Sequence, residues 1–225
     1  MFLTYDEARL LKNSMDDMDL SKVDLIVCPG YLNFDVFKDY KLGSQNCHFE
    51  NKGAFTGEIS AYDLNLRGVK YVIIGHSERR KYDTDKDINL KVISVLKNSM
   101  TPILCIGENK IDRDLRRTTN VLKRQLFTAI ENVTLNDDQK IIIAYEPVWV
   151  IGGKASLSKE EIEDAFCYIR KLLEQKKIFN YKLLYGGSVN HNNIKSILSD
   201  DVDGYLLGNS SVDENELNTI INCIK

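Results

Sequence analysis

The chain has 225 residues, 43% hydrophobic and 28% charged, the balance of a soluble globular domain and not of a disordered, collagen-like or membrane-embedded chain. Thirty Lys and Arg against 33 Asp and Glu leave a net charge of −3 with the signs mixed along the chain, which excludes a polyanion-binding stripe, so no nucleic-acid partner is expected. The five cysteines, Cys28, Cys47, Cys105, Cys167 and Cys223, are scattered without a CxxC pair, which excludes a disulfide framework or zinc site and fits a reducing cytoplasm.

In chain order, the first signal is a capping box, Thr4 with Glu7, ahead of Ala8, Leu10 and Leu11, so the chain opens into a helix. With acids at positions 6 and 7 and no apolar leader, no targeting segment is expected, and no later run approaches the ~20 apolar residues of a membrane span. Strands are expected over 23–27, 42–46 and 71–74, then a helix over 87–98 and a strand over 103–106. A long helix over 114–132 and a strand over 141–145 follow. A second capping box, Ser158 with Glu161, starts a helix over 158–177, and strands over 183–185 and 205–207 lead to a last helix over 213–223.

The seven strands recur about every 30 residues, as the ~250 residues of an eight-unit barrel would divide. An open doubly wound sheet fits the same spacing. No linker composition or charge block marks a second domain, so residues 1–225 are read as one domain.

In a parallel barrel the chemistry collects where strands end, and four strand exits carry functional residues. The strand over 71–74 runs into Gly75-His76-Ser77-Glu78-Arg79-Arg80, an imidazole beside a carboxylate and two guanidiniums. The strand over 141–145 runs into Glu146-Pro147-Val148-Trp149-Val150-Ile151-Gly152-Gly153, a carboxylate and an apolar flap ending in two glycines. The last two exits, Gly186-Gly187-Ser188-Val189 and Gly208-Asn209-Ser210-Ser211, have the glycines and serines that let backbone N–H groups surround a phosphate.

Each feature alone has a plainer reading. Either glycine pair serves a turn needing positive φ, His76 a structural hydrogen bond, and Glu146 a solvated loop. Arg79 and Arg80 with Glu78 read as a salt-bridged surface turn, and Trp149 as ordinary core. Together the exits supply a base, an electrophile, an anion cradle and a flap, the equipment for moving a proton beside a carbonyl on a small phosphate ester.

The segments GAFTGE (53–58), YVIIGHSERR (71–80), CIGE (105–108), AYEPVW (144–149), YGGSV (185–189) and DGYLLG (203–208) resemble the triosephosphate isomerase family in order and spacing. That resemblance implies a (β/α)8 TIM barrel, cofactor-free and metal-free. It further implies a homodimer interconverting dihydroxyacetone phosphate and glyceraldehyde 3-phosphate, a step of glycolysis and gluconeogenesis. It implies Glu146 as the base and His76 as the electrophile, with Ser77 and Glu78 as polar support. It implies that residues 147–154 form a lid with Gly152 on the phosphate, and that Ser188, Gly208 and Asn209 line the phosphate site. The segment 53–58 would be a loop inserted into the partner subunit, with Thr56 at its tip.

Three departures accompany the likeness. Met1 falls where the family's first strand ends in Asn-x-Lys-Met, so that strand and its Asn and Lys have no counterpart here. The lid is one residue shorter, and Asn209 stands where a second glycine is common. The lysine would stabilise charge on the enediolate, which leaves two readings: an isomerase weakened or inactive in this form, or a non-catalytic barrel that binds a phosphometabolite or a protein partner. Another phosphosugar-processing barrel shares the cradle but does not require His76 and Glu146 in these contexts.

Overall fold

A computed structural model describes residues 2–152 and 156–224. Its order is α1 (Tyr5–Asp16), β1 (Ile26–Val27), β2 (Lys41–Ser44), α2 (Ala61–Leu66), β3 (Tyr71–Ile74), α3 (Asp85–Lys97), β4 (Thr101–Ile106), α4 (Lys110–Asp114) and α5 (Thr118–Ala129). There follow β5 (Ile141–Tyr145), α6 (Lys159–Gln175), β6 (Tyr181–Tyr185), β7 (Gly204–Tyr205) and α7 (Glu214–Ile224), with short 3-10 turns between them.

All seven strands are parallel and pair in chain order, giving a curled sheet that is a TIM barrel lacking one strand. An open doubly wound sheet is excluded, because its strand order reverses at a switch point and this one does not. Among the described residues β1 and β7 each have one strand neighbour, while α1 packs against α7, so the helices close over a gap that the sheet leaves open.

Strand alternation makes two cores. Outward residues such as Val72, Ile74, Leu104, Ile143, Tyr145 and Tyr185 pack under the helices with Leu122, Leu126, Phe166 and Ile169. Inward, Ile103, Cys105, Ile142 and Ala144 of β4 and β5 are buried, whereas Ile73, Leu184 and Leu206 are only half-buried. Strand β4 lies farthest from the gap, and beyond β4 and β5 the lumen residues of β3 and β6 are less covered.

Both expected capping boxes form: the Thr4 side chain accepts from Glu7 N–H and that of Ser158 from Glu161 N–H, each worth about 1 kcal/mol. The expected helix over 114–132 is α5 (118–129), shorter at both ends, and residue 114 instead closes the separate short α4. Arg116 adopts φ 55° and Arg117 N–H reaches back to the Asp112 carbonyl, ending α4 before α5 begins. Apolar periodicity alone runs through that break, because the stop is a backbone conformation on an arginine that nothing local announces.

Candidate active site

Strand register sets the site. Tyr145 of β5 lies between Ile106 of β4 and Tyr185 of β6, so the next residues, Gly107, Glu146 and Gly186, emerge side by side at one end of the sheet. Glu146 N–H donates to the Ile106 carbonyl (2.8 Å) and Gly186 N–H to the Tyr145 carbonyl (2.9 Å), fixing Glu146 between two glycines. Neither flanking glycine has a positive φ; both are required for close approach. A Cβ on Gly107 would stand 1.8 Å from the Glu146 carbonyl oxygen, and one on Gly186 2.9 Å from Glu146 Cγ. The turn reading of the glycine pairs therefore fails at Gly186 and Gly187, where a Cβ on the latter would meet Tyr185 Oη at 2.3 Å, and holds at Gly152, with φ 69°.

Glu146 is 3% exposed, which removes the solvated-loop reading. Burial pushes its carboxyl above the ordinary value, because the charged form loses water; His76, the Cys105 thiol, the Ser77 backbone N–H and Arg80 each pull the other way. His76 sits at the β3 exit, with Nε2 3.4 Å from Glu146 Oε1. Its Nδ1 accepts the Glu78 backbone N–H at 3.3 Å, so the ring proton resides on Nε2, facing the carboxylate. The imidazole thereby turns Nε2 toward the Glu146 carboxylate.

Ser77 contributes through its backbone. The Glu78 carboxylate points away, 85% exposed and 3.9 Å from His76 Nδ1, so its N–H and not its charge meets the histidine. The expected Glu78–Arg surface turn does not form. Arg79 pairs with Asp83 (3.1 Å), while Arg80 is turned inward to Asp85 (3.0 Å) and the Cys105 carbonyl (2.8 Å).

On the cradle side, Ser188 adopts φ 50°; its Oγ accepts Gly152 N–H (3.0 Å) and donates to the Val150 carbonyl (2.6 Å), tying the flap to the β6 exit. Ser211 Oγ donates to the Gly208 carbonyl within the last exit, and Ser210 Oγ donates to the Val189 carbonyl and ties the last two exits together, both at 2.6 Å. Among the described residues the N–H groups of Ser188, Gly208 and Asn209 have no acceptor, which leaves them available to an anion. Residues 153–154 of the expected lid lie outside the described residues. Thr56 is exposed on a loop braced by His48 against the rings of Phe49 and Phe55.

Four residues, Glu108, Trp149, Cys105 and Arg80, take places around Glu146 and the flap that the sequence did not assign them. Glu108, fully buried, accepts Trp149 Nε1–H (3.0 Å) and the Tyr145 hydroxyl (3.2 Å), while its carbonyl accepts Val148 N–H (2.9 Å), so it anchors the flap's first residues. Trp149 is thus hydrogen-bonded to Glu108 and covered by Arg113, besides packing against the core. Cys105 and Arg80 face the base from neighbouring exits, and only their positions inside the CIGE and HSERR segments pointed toward them.

The family described as "Triosephosphate isomerase" matches residues 1–224. The triosephosphate isomerase of Alkaliphilus oremlandii is 39% identical, over 95% of this chain and 91% of that protein. That of Clostridium perfringens is 36% identical over 99% and 95%, and that of Mycoplasma mobile 43% identical over 78% and 72%.

Proposed function

This chain belongs to the triosephosphate isomerase family, and on that premise we propose that it interconverts dihydroxyacetone phosphate and D-glyceraldehyde 3-phosphate. The single observation that supports this best is the pairing of a buried carboxylate with an imidazole Nε2–H across 3.4 Å, beside unpaired backbone donors. Glu146 takes the proton from the substrate carbon next to the carbonyl while His76 Nε2–H bonds the carbonyl oxygen, giving an enediolate. The former carbonyl oxygen gains a proton and the neighbouring hydroxyl loses one, an exchange that His76 Nε2 mediates, and return of the carbon-bound proton from Glu146 to the adjacent carbon completes the isomerisation. Burial that raises the Glu146 carboxyl strengthens it as a base for this weakly acidic C–H.

Ser188, Gly208 and Asn209 hold the phosphate through backbone N–H groups, and Gly152 joins them when its N–H leaves Ser188 Oγ. Glu78 acts through its backbone on His76. The chain works as a cytoplasmic homodimer in which Thr56 reaches the partner's site; the exposed Tyr31, Leu32, Phe55 and Tyr82 supply apolar surface for the contact.

The test is a coupled isomerase assay on the purified chain together with Glu146→Gln. Turnover by the parent, lost in Glu146→Gln while calorimetry shows glycerol 3-phosphate still bound, is the expected result. Binding without turnover in the parent would favour the phosphometabolite-binding reading, and sedimentation measures the dimer.

A further inference from the structure

We infer that Gln125, on the outer helix α5, is a positioning residue for Glu146: its side-chain amide brackets both backbone polar groups of Gly107, the residue on which the base rests. Gly107 N–H donates to Gln125 Oε1 at 2.8 Å, and Gln125 Nε2 donates to the Gly107 carbonyl at 3.2 Å. Two bonds to one residue fix the orientation of the amide and of the peptide planes it grips.

Gln125 is 6% exposed in the layer between α5 and the sheet, where its neighbours along the helix, Leu122 and Leu126, are apolar core. A polar side chain kept there has to satisfy something, and what it satisfies is the N–H and C=O of Gly107, which have no other partner among the described residues. The residues on either side of Gly107 are already committed to the base's own segment: the Ile106 carbonyl takes Glu146 N–H, and the Glu108 carbonyl takes Val148 N–H. Gly107 itself is in backbone contact with Glu146, since a Cβ there would stand 1.8 Å from the Glu146 carbonyl oxygen and 2.4 Å from its carbonyl carbon.

Displacement of the Gly107 peptides therefore moves the Glu146 peptide with them. The carboxylate then leaves the Cys105 thiol, the Ser77 N–H and His76 Nε2. Without the amide, the Gly107 N–H and C=O are buried and unpaired, and the turn has every reason to move toward another partner or toward water. A displacement near 1 Å at a reacting group costs on the order of 100-fold in rate.

The inference rests on the isomerase reading for its kinetic arm only. Gln125→Met keeps the length and volume while removing both bonds, and should lower kcat about 10- to 100-fold with KM changed by less than about threefold. Leu126→Ala, an equally buried change on the same helix, should lower the melting temperature at least as far yet keep kcat within about threefold. Gln125→Glu retains the acceptor for Gly107 N–H and should fall between parent and Gln125→Met; it supplies the same readouts if Gln125→Met does not fold. An unchanged kcat in both Gln125 variants, or a loss no greater than that of Leu126→Ala, overturns the proposal.

Should the parent show no turnover, the isomerase reading fails while the positioning claim is decided by carboxyl carbon-13 NMR. The Glu146 signal, identified by its loss in Glu146→Gln, should titrate at higher pH in the Gln125 variants, because the Cys105 and Ser77 donors no longer reach it. Separation from His76 Nε2, which also lowers the carboxyl, acts in the same direction, and Gln125→Met, which adds no charge of its own, is the variant read here. An unmoved midpoint overturns the proposal by that route.

Discussion

Replacing Gly186 by alanine tests the placement of the base with a single methyl group. The new Cβ would stand 2.9 Å from Glu146 Cγ, 3.5 Å from Glu146 Oε1 and 3.5 Å from Leu206 Cβ, on a backbone without positive φ. Carbon contacts relax at about 3.5–4.0 Å, so Glu146 has to give by about 0.6–1 Å. Its main chain is pinned through Ile106 and Gly107, which leaves the side-chain torsions to absorb the push. Overpacking of this size costs roughly 1–3 kcal/mol of stability, small enough for the variant to fold. In catalysis the same shift carries the carboxylate off its line to the substrate carbon, and kcat should fall about 10- to 100-fold with KM within about threefold. Gly30→Ala, where no atom lies within 4 Å of the new Cβ and φ is −59°, provides the control. Steady-state kinetics in both directions and calorimetry on the three proteins decide the matter. A Gly186→Ala enzyme with parental kcat would refute the idea that contact with Gly186 sets the base's position.

The raised Glu146 carboxyl fixes the sign of two pH effects: activity falls as pH drops through its folded value, and the buried charge destabilises the fold above that value. Below the unfolded carboxyl value both states are protonated and the penalty vanishes, so Glu146→Gln should melt higher than the parent near pH 7 and no higher near pH 4 in paired calorimetric scans. Lys91, with a side chain 4% exposed, bonds Asp83 (2.7 Å) and Asn46 Oδ1 (3.0 Å); because Asp83 keeps Arg79 as a partner, Lys91→Met should cost about 3 kcal/mol in a urea titration. An N-terminal extension that supplies a parallel strand between β1 and β7 and ends in Asn-x-Lys should raise the melting temperature and lift kcat by about 100-fold or more. The same extension with Met in place of Lys should give only the thermal gain.

Patterns local to a few residues were readable from the amino acids alone. Short β-branched runs announced seven strands, because a strand buried on both faces needs apolar side chains in succession. Thr4 with Glu7 and Ser158 with Glu161 marked helix starts, because capping is a bond between residues three apart. The motifs around His76, Glu146, Ser188 and Gly208 likewise marked strand ends, and the fold brings His76 and Glu146 to 3.4 Å of each other. Quantities that depend on what stands across the sheet were beyond reach of the one-dimensional chain. Only folding brings Gly107, Cys105 and Gly186 against Glu146, turns Arg80 inward while leaving Glu78 in water, and seats Glu108 beneath Trp149. Glu146 is buried by neighbours drawn from three strands, and a neighbour many residues away leaves no periodicity and no local bond for the sequence to display.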